Sequence, residues 1–161
     1  MEEDGKPTIM MCTLLAIDHT DYYYRLCSSC ERPLPDNPTS LCKFCNFTAS
    51  KPSSSRSKRL FRFFMSLASD TKVFTVICFD GAARVLFGCS ADEFFDFAKL
   101  HPFAAASAGQ ILEGEMLKVT LSKPTNGIDT NLRLTYVVPL RTGFQPAIVT
   151  LKELYGGRSG P

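Results

Sequence analysis

Four cysteines are spaced for metal chemistry. They read Cys27-Ser-Ser-Cys30, then eleven residues, then Cys42-Lys-Phe-Cys45. Two Cys-x-x-Cys knuckles let four thiolates close a tetrahedron around one Zn²⁺, and such a site contributes folding energy directly. The gap is somewhat short for a zinc site, but Pro33, Pro35 and Pro38 with Asp36-Asn37 suit a tight loop. The expectation is one structural zinc on Cys27, Cys30, Cys42 and Cys45. It would stiffen a loop without catalysing, because four thiolates leave no open coordination position. Disulfides, loose thiols or iron in place of zinc are the alternatives. Cysteines three apart bridge poorly, and seven cysteines cannot all pair. Cys12, Cys78 and Cys89 lie in apolar contexts and read as small core residues.

Enzyme signatures are missing. The chain has no phosphate-cradling glycine loop with lysine, no Gly-x-Ser-x-Gly elbow, and no His-x-Glu ahead of a cysteine knuckle. Asp18, Asp21 and Asp36 are scattered acids that surface solvation explains, and His19 and His101 read as loop histidines. The expectation is a binding module rather than an enzyme. Arg59, Arg62 and Lys72, with Lys58 beside them, flank a Phe-rich hairpin. With Phe79 (or Phe64) as a stacking platform they form a candidate single-stranded DNA contact, set against a solvated face over core phenylalanines. Phe94, Phe95 and Phe97 crowd one helix beyond what a ~100° buried stripe holds. They are candidate partner-protein contacts, set against a wide buried face. Tyr22, Tyr23 and Tyr24 lead into the first knuckle, where one could stack a base, dock a partner or pack on the metal module.

The elements that must position these groups follow from pattern. At 161 residues, 45% apolar, with thirteen Phe and no Trp, the chain is long enough for one Phe-rich core with an inserted module. A formal charge of +2 is far from that of a duplex-DNA binder and leaves a single-strand binder open. No stretch is apolar enough to span a bilayer, and no leader opens the chain, so free thiols place it in cytosol or nucleus. Residues 8–18 read as a buried strand, 26–47 as a zinc ribbon and 48–58 as a polar loop. Residues 60–69 and 73–79 form a hairpin with Phe61, Phe63, Met65 and Leu67 on one face. Residues 82–87 and 91–100 read as helices, the second capped by Ser90, and 103–112 as a weaker one. Residues 115–121 and 131–138 form a second hairpin, and 145–155 is open between strand and helix. Residues 1–6 and 156–161 read as disordered tails. The fold class is all-β with short helices: a five-stranded OB-fold barrel over 8–155 with the ribbon between strands one and two.

The layout resembles the C-terminal DNA-binding domain of the large subunit of replication protein A. The carrying features are the cysteine ribbon, then Leu60-Phe-Arg-Phe-Phe-Met-Ser-Leu67 with Val73-Phe-Thr-Val-Ile-Cys-Phe79, then Ala82-Ala-Arg-Val-Leu-Phe-Gly88 and Ala91-Asp-Glu-Phe-Phe95. The resemblance implies a structural zinc, single-strand binding by base stacking in the barrel groove, a protein-subunit partner and a nuclear, chromosomal location. Phe79 matches the family's stacking aromatic at the end of the third strand. Two departures stand out: Ser122-Lys-Pro-Thr-Asn-Gly127 carries no aromatic, and the family's long C-terminal helix is reduced to 145–155. The divergence points to a paralogue in DNA repair or recombination that scaffolds another subunit of a repair complex and contacts single-stranded DNA. The alternative is primarily a single-stranded DNA-binding domain of a replication or meiotic recombination factor.

Overall fold

The computed structural model describes residues 7–20, 22–27, 33–34, 57–123 and 131–156. Strands β1 (Thr8–Ile17), β2 (Tyr23–Cys27), β3 (Pro33–Leu34), β4 (Ser57–Ala68) and β5 (Val73–Phe79) precede three helices, α1 (Asp80–Phe87), α2 (Ala91–Leu100) and α3 (Ala104–Leu112). Strands β6 (Met116–Ser122) and β7 (Leu132–Pro139) follow, and α4 (Ala147–Leu151) runs into a π turn over Lys152–Gly156.

Five strands close a barrel in the order β1-β4-β5-β7-β6 and back to β1. Every junction is antiparallel except β5–β7, which is parallel with Ile77 opposite Arg133. This is an OB fold, with the helices between its third and fourth barrel strands, as the pattern of alternation and turns implied. The twelve-residue β4 serves two partners. Its second half pairs with β1, and its first half pairs with β2, which in turn pairs with β3. The excursion between the first two barrel strands therefore leaves at Cys27 and returns at Ser57, which are Cα partners. Most of the expected ribbon, residues 28–32 and 35–47, lies outside the described residues, as do residues 1–6 and 157–161.

Alternation fills the barrel from every strand. Phe61, Phe63, Met65 and Leu67 of β4 meet Leu14, Val76, Leu117, Val119 and Leu134 in the core. Phe87 of α1 and Phe94 of α2 plug one end, their rings 5.0 Å apart and edge-on. Tyr22 joins this cluster and donates its hydroxyl to the carbonyl of Ala105 at 2.8 Å, so its polar tip is satisfied where burial pushes the phenol pKa up. Local signals set the helix ends. The Ser90 hydroxyl accepts the Glu93 N–H at 3.1 Å, and Glu93 returns a bond to the Ser90 N–H at 2.9 Å, a capping box. α1 stops at Gly88, whose φ of 80° and contact with Pro146 leave no room for a side chain. The region read as open between strand and helix, 145–155, is helical, with Pro146 just ahead of the first turn.

Candidate nucleic-acid interface

The outward-pointing residues of β2, β4, β5 and β7 form one surface. Cross-strand partners share a face, so Tyr24 with Leu60, Arg62 with Phe79, and Phe64 with Ile77 fall on one side, and Ile77, itself buried beneath its neighbours, pairs with Arg133 across the parallel junction. Side-chain contacts agree. The Arg133 guanidinium lies 5.4 Å from the Phe79 ring centre. Burial raises the Tyr24 pKa and the Asp80 carboxylate adds to this, while the Arg62 guanidinium opposes both. Arg133 Nε is buried and has no hydrogen-bond partner among the described residues. The guanidinium belongs to a face that already carries an aromatic and a second arginine.

An open groove of about 380 Å³ adjoins this surface, lined by Phe64, Ser66 and Thr75 on one wall and Ala16 to Asp18 on the other. Asp18 accepts the Thr20 hydroxyl at 2.6 Å and the Thr20 N–H at 3.0 Å, and those bonds hold its carboxyl below the usual range. A fixed carboxylate repels phosphate, so the anion-attracting end is the one with Arg62 and Arg133. The surface offers π faces and guanidinium donors. These stack planar rings and hold phosphates.

The structure sorts the expected DNA contacts differently from the sequence. Arg62 and Phe79 meet on this face. Arg59 does not: it has the parity of Phe61, and its guanidinium lies 3.5 Å from the Phe95 ring centre. It also bonds Asp92 at 3.2 Å, while its backbone N–H reaches the same carboxylate at 3.3 Å. Arg59 ties α2 to β4, which corrects its grouping with Arg62. Lys72 lies at the β4–β5 turn opposite Ser69, seven residues along the ladder from Arg62, about 23 Å away. It sits over Phe74 at 5.5 Å rather than in the cluster. Arg133 was missed. Alternation in Leu132-Arg133-Leu134 marks it as outward, but only the parallel β5–β7 pairing brings it to Phe79.

The three tyrosines divide. Tyr22 is core, Tyr23 stacks on Phe61 and meets Phe95 edge-on, and Tyr24 alone joins the surface. The expected partner contacts divide too. Phe94 is fully buried, so its assignment to a docking surface is corrected: the helix face toward the barrel claims it. Phe95 is occupied by Arg59, with Lys99 5.4 Å from its ring centre. Phe97 is half-buried and packs on His101 at 4.5 Å, which in turn stacks on Tyr155.

Leu26 and Pro33 are antiparallel partners, so β2 and β3 flank Cys27-Ser-Ser-Cys30 along the chain. Cys30, Cys42 and Cys45 lie outside the described residues, and those that are described gather no other cluster of three metal-ligating side chains. Cys12 and Cys78 are buried, as core residues should be, and burial raises their thiol pKa values. No helix among the described residues is long and apolar enough to cross a membrane.

No protein-family model matches the chain, and no curated protein matches it in sequence. Solved structures do match in fold. One is a replication protein A heterotrimer bound to ssDNA, in which a chain aligns with 94% of this one at 17% identity and a TM-score of 0.64. The present chain spans about a third, 35%, of that chain's length. A chain of yeast replication protein A bound to ssDNA aligns with 95% of this one, and 86% of its own length, at 14% identity and a TM-score of 0.61. What is shared at these identities is the architecture: an OB barrel of the kind found in replication protein A.

Proposed function

We propose that the chain is a non-catalytic module of DNA repair or recombination, acting in the nucleus, that grips single-stranded DNA on the β4–β5 face of its barrel. The observation that carries this reading is the meeting of Arg62, Phe79 and Arg133 there. The outer face of the second and third barrel strands is where OB folds bind oligonucleotides. Replication protein A chains, similar in fold, are bound to ssDNA. Phe79 would stack a base while Arg62 and Arg133 hold the flanking phosphates.

The ribbon would hold one structural zinc on Cys27, Cys30, Cys42 and Cys45. Four thiolates suit that ion, and the β2–β3 pair flanks the first knuckle along the chain. The second part of the reading is a scaffold for another subunit of a repair complex. The exposed Leu100 and Phe103, near Phe97 at the end of α2, favour it. Among repair paralogues of the large replication protein A subunit, this reading favours the C-terminal domain of shieldin complex subunit 2. A replication or meiotic recombination factor that mainly binds DNA is the alternative.

Fluorescence anisotropy with labelled oligo-dT at two salt concentrations tests the DNA contact. Binding should be micromolar or tighter, fall steeply with salt, and weaken at least about tenfold in Phe79→Ala and in Arg62→Glu. No binding at low salt overturns it and leaves the scaffold role. Equal affinity in both variants moves the site off this face.

A further inference from the structure

The opposite side of the barrel carries a second surface of different chemistry. Three adjacent strands, β1, β6 and β7, put three rows of side chains on it. Ile9 faces Thr120, which faces Tyr136. Met11 faces Lys118, which faces Val138. Thr13 faces Met116, whose carbonyl accepts the Leu140 N–H at 3.0 Å. The apolar members are exposed, Ile9 at 60%, Met11 at 56% and Tyr136 at 61% among them. Their strand neighbours Cys12, Leu117, Val119 and Val137 are buried, so alternation alone does not account for an apolar outer face.

Lys118 is the middle residue of the middle row. Its ammonium has neither an ion pair nor a hydrogen bond among the described residues. An ammonium ringed by exposed methionine, valine, isoleucine and tyrosine is tolerated only while water reaches it. A partner that covers the ring closely is favoured if it brings an acceptor to the centre, and a carboxylate is the acceptor that also offsets the charge. A second copy of the chain fits poorly: a two-fold axis through the patch would set two lysines against each other. Nucleic acid fits poorly as well, since a single cation in an apolar field holds no phosphate track. The rows span two inter-strand spacings, about 10 Å, which matches the width of one α-helix.

We infer that the β1–β6–β7 face docks an amphipathic helix of a partner protein, its apolar stripe lying along β6 and carrying an Asp or Glu opposite Lys118. The methionines adapt to the stripe, and Tyr136 supplies a large anchor at the edge. This surface is independent of the DNA reading, because none of its residues lies on the β4–β5 face.

A displayed library of helical peptides, selected on the intact chain, tests this. Enriched peptides should carry apolar residues at helical spacing with an acid inside the stripe. Tyr136→Ser with Met11→Ser should weaken a selected peptide at least about tenfold, with oligo-dT affinity and melting temperature unchanged. Repeating the selection on Lys118→Glu should replace the acid with Lys or Arg. Three results overturn the inference. The first is enriched peptides that lack the acid or ignore the double variant. The second is a dimer in sedimentation that Tyr136→Ser dissolves, which makes a second copy the occupant. The third is a loss of oligo-dT affinity in Lys118→Glu.

Discussion

The two outer faces of one barrel obey the same alternation and reach opposite chemistry. On β4–β5 the outward positions hold Arg62, Phe79 and, across the parallel junction, Arg133. On β1–β6–β7 they hold Ile9, Met11, Met116 and Tyr136 around one lysine. Inward positions on both sides are uniformly apolar, because the core accepts little else. Packing therefore explains the inside of every strand and says nothing about the outside. The contrast between the faces is where function is to be sought: guanidinium and aromatic for a charged strand, apolar around a single cation for a folded partner.

The contrast can be broken most violently at the proposed metal site. The insertion springs from Cys27 and Ser57, at the root of the strands that carry Tyr24 and Arg62. Cys42→Ser, or chelation, should cost on the order of several kcal/mol, comparable to the stability of a whole domain, and cause aggregation visible by light scattering. A soluble, fully stable Cys42→Ser protein would detach the ribbon from the fold, and elemental analysis would then decide whether any metal is bound.

Next in size is Phe94→Ala. Phe94 is enclosed by Tyr22, Phe61 and Phe87, so truncation should cost about 3–5 kcal/mol in denaturant unfolding. Both faces should keep their ligands at temperatures where the variant is folded. Loss of one ligand only would show that α2 supports one face specifically. The surface variants Phe79→Ala and Tyr136→Ser are smaller in stability and should separate cleanly, each removing one ligand. Cross-talk between them would mean that the faces are coupled through the barrel.

The smallest effect is at the α2 cap, remote from both faces. Ser90→Ala should cost about 1 kcal/mol at neutral pH. It should also alter the acid limb of the stability curve. Hydrogen bonds from the Ser90 backbone and hydroxyl lower the Glu93 pKa in the folded protein. Its contribution is therefore full above the unfolded carboxylate value and is lost as pH falls through the lowered folded value. Thermal melts between pH 3 and 7 should show a shallower acid limb in the variant, and an unchanged limb would assign it to another carboxylate.

Much of the frame was legible because its signals are local. β5 runs from Val73 to Phe79 and α2 from Ala91 to Leu100, both as read, since a Ser69-Asp-Thr turn and a Ser90 cap announce their ends within a few residues. The site was only half legible. Arg62 and Phe79 face each other across a hairpin whose short turn fixes the register. Arg59, three residues before Arg62, has the opposite parity, and Asp92 and Phe95 on a distant helix claim it.

Alternation, turn residues and a cap by themselves determined the β4–β5 and β6–β7 hairpins and the helix α2, because each rests on neighbours within a few bonds of chain. Which strand closes against which was decided only in three dimensions. Parallel pairing of β5 with β7 joins residues more than fifty positions apart, and it alone carries Arg133 to Phe79. The β1–β6 pairing likewise gathers Met11 and Lys118 from opposite ends of the fold. Local propensity cannot encode such contacts. They appear when burial of one shared core chooses a single closed arrangement of strands.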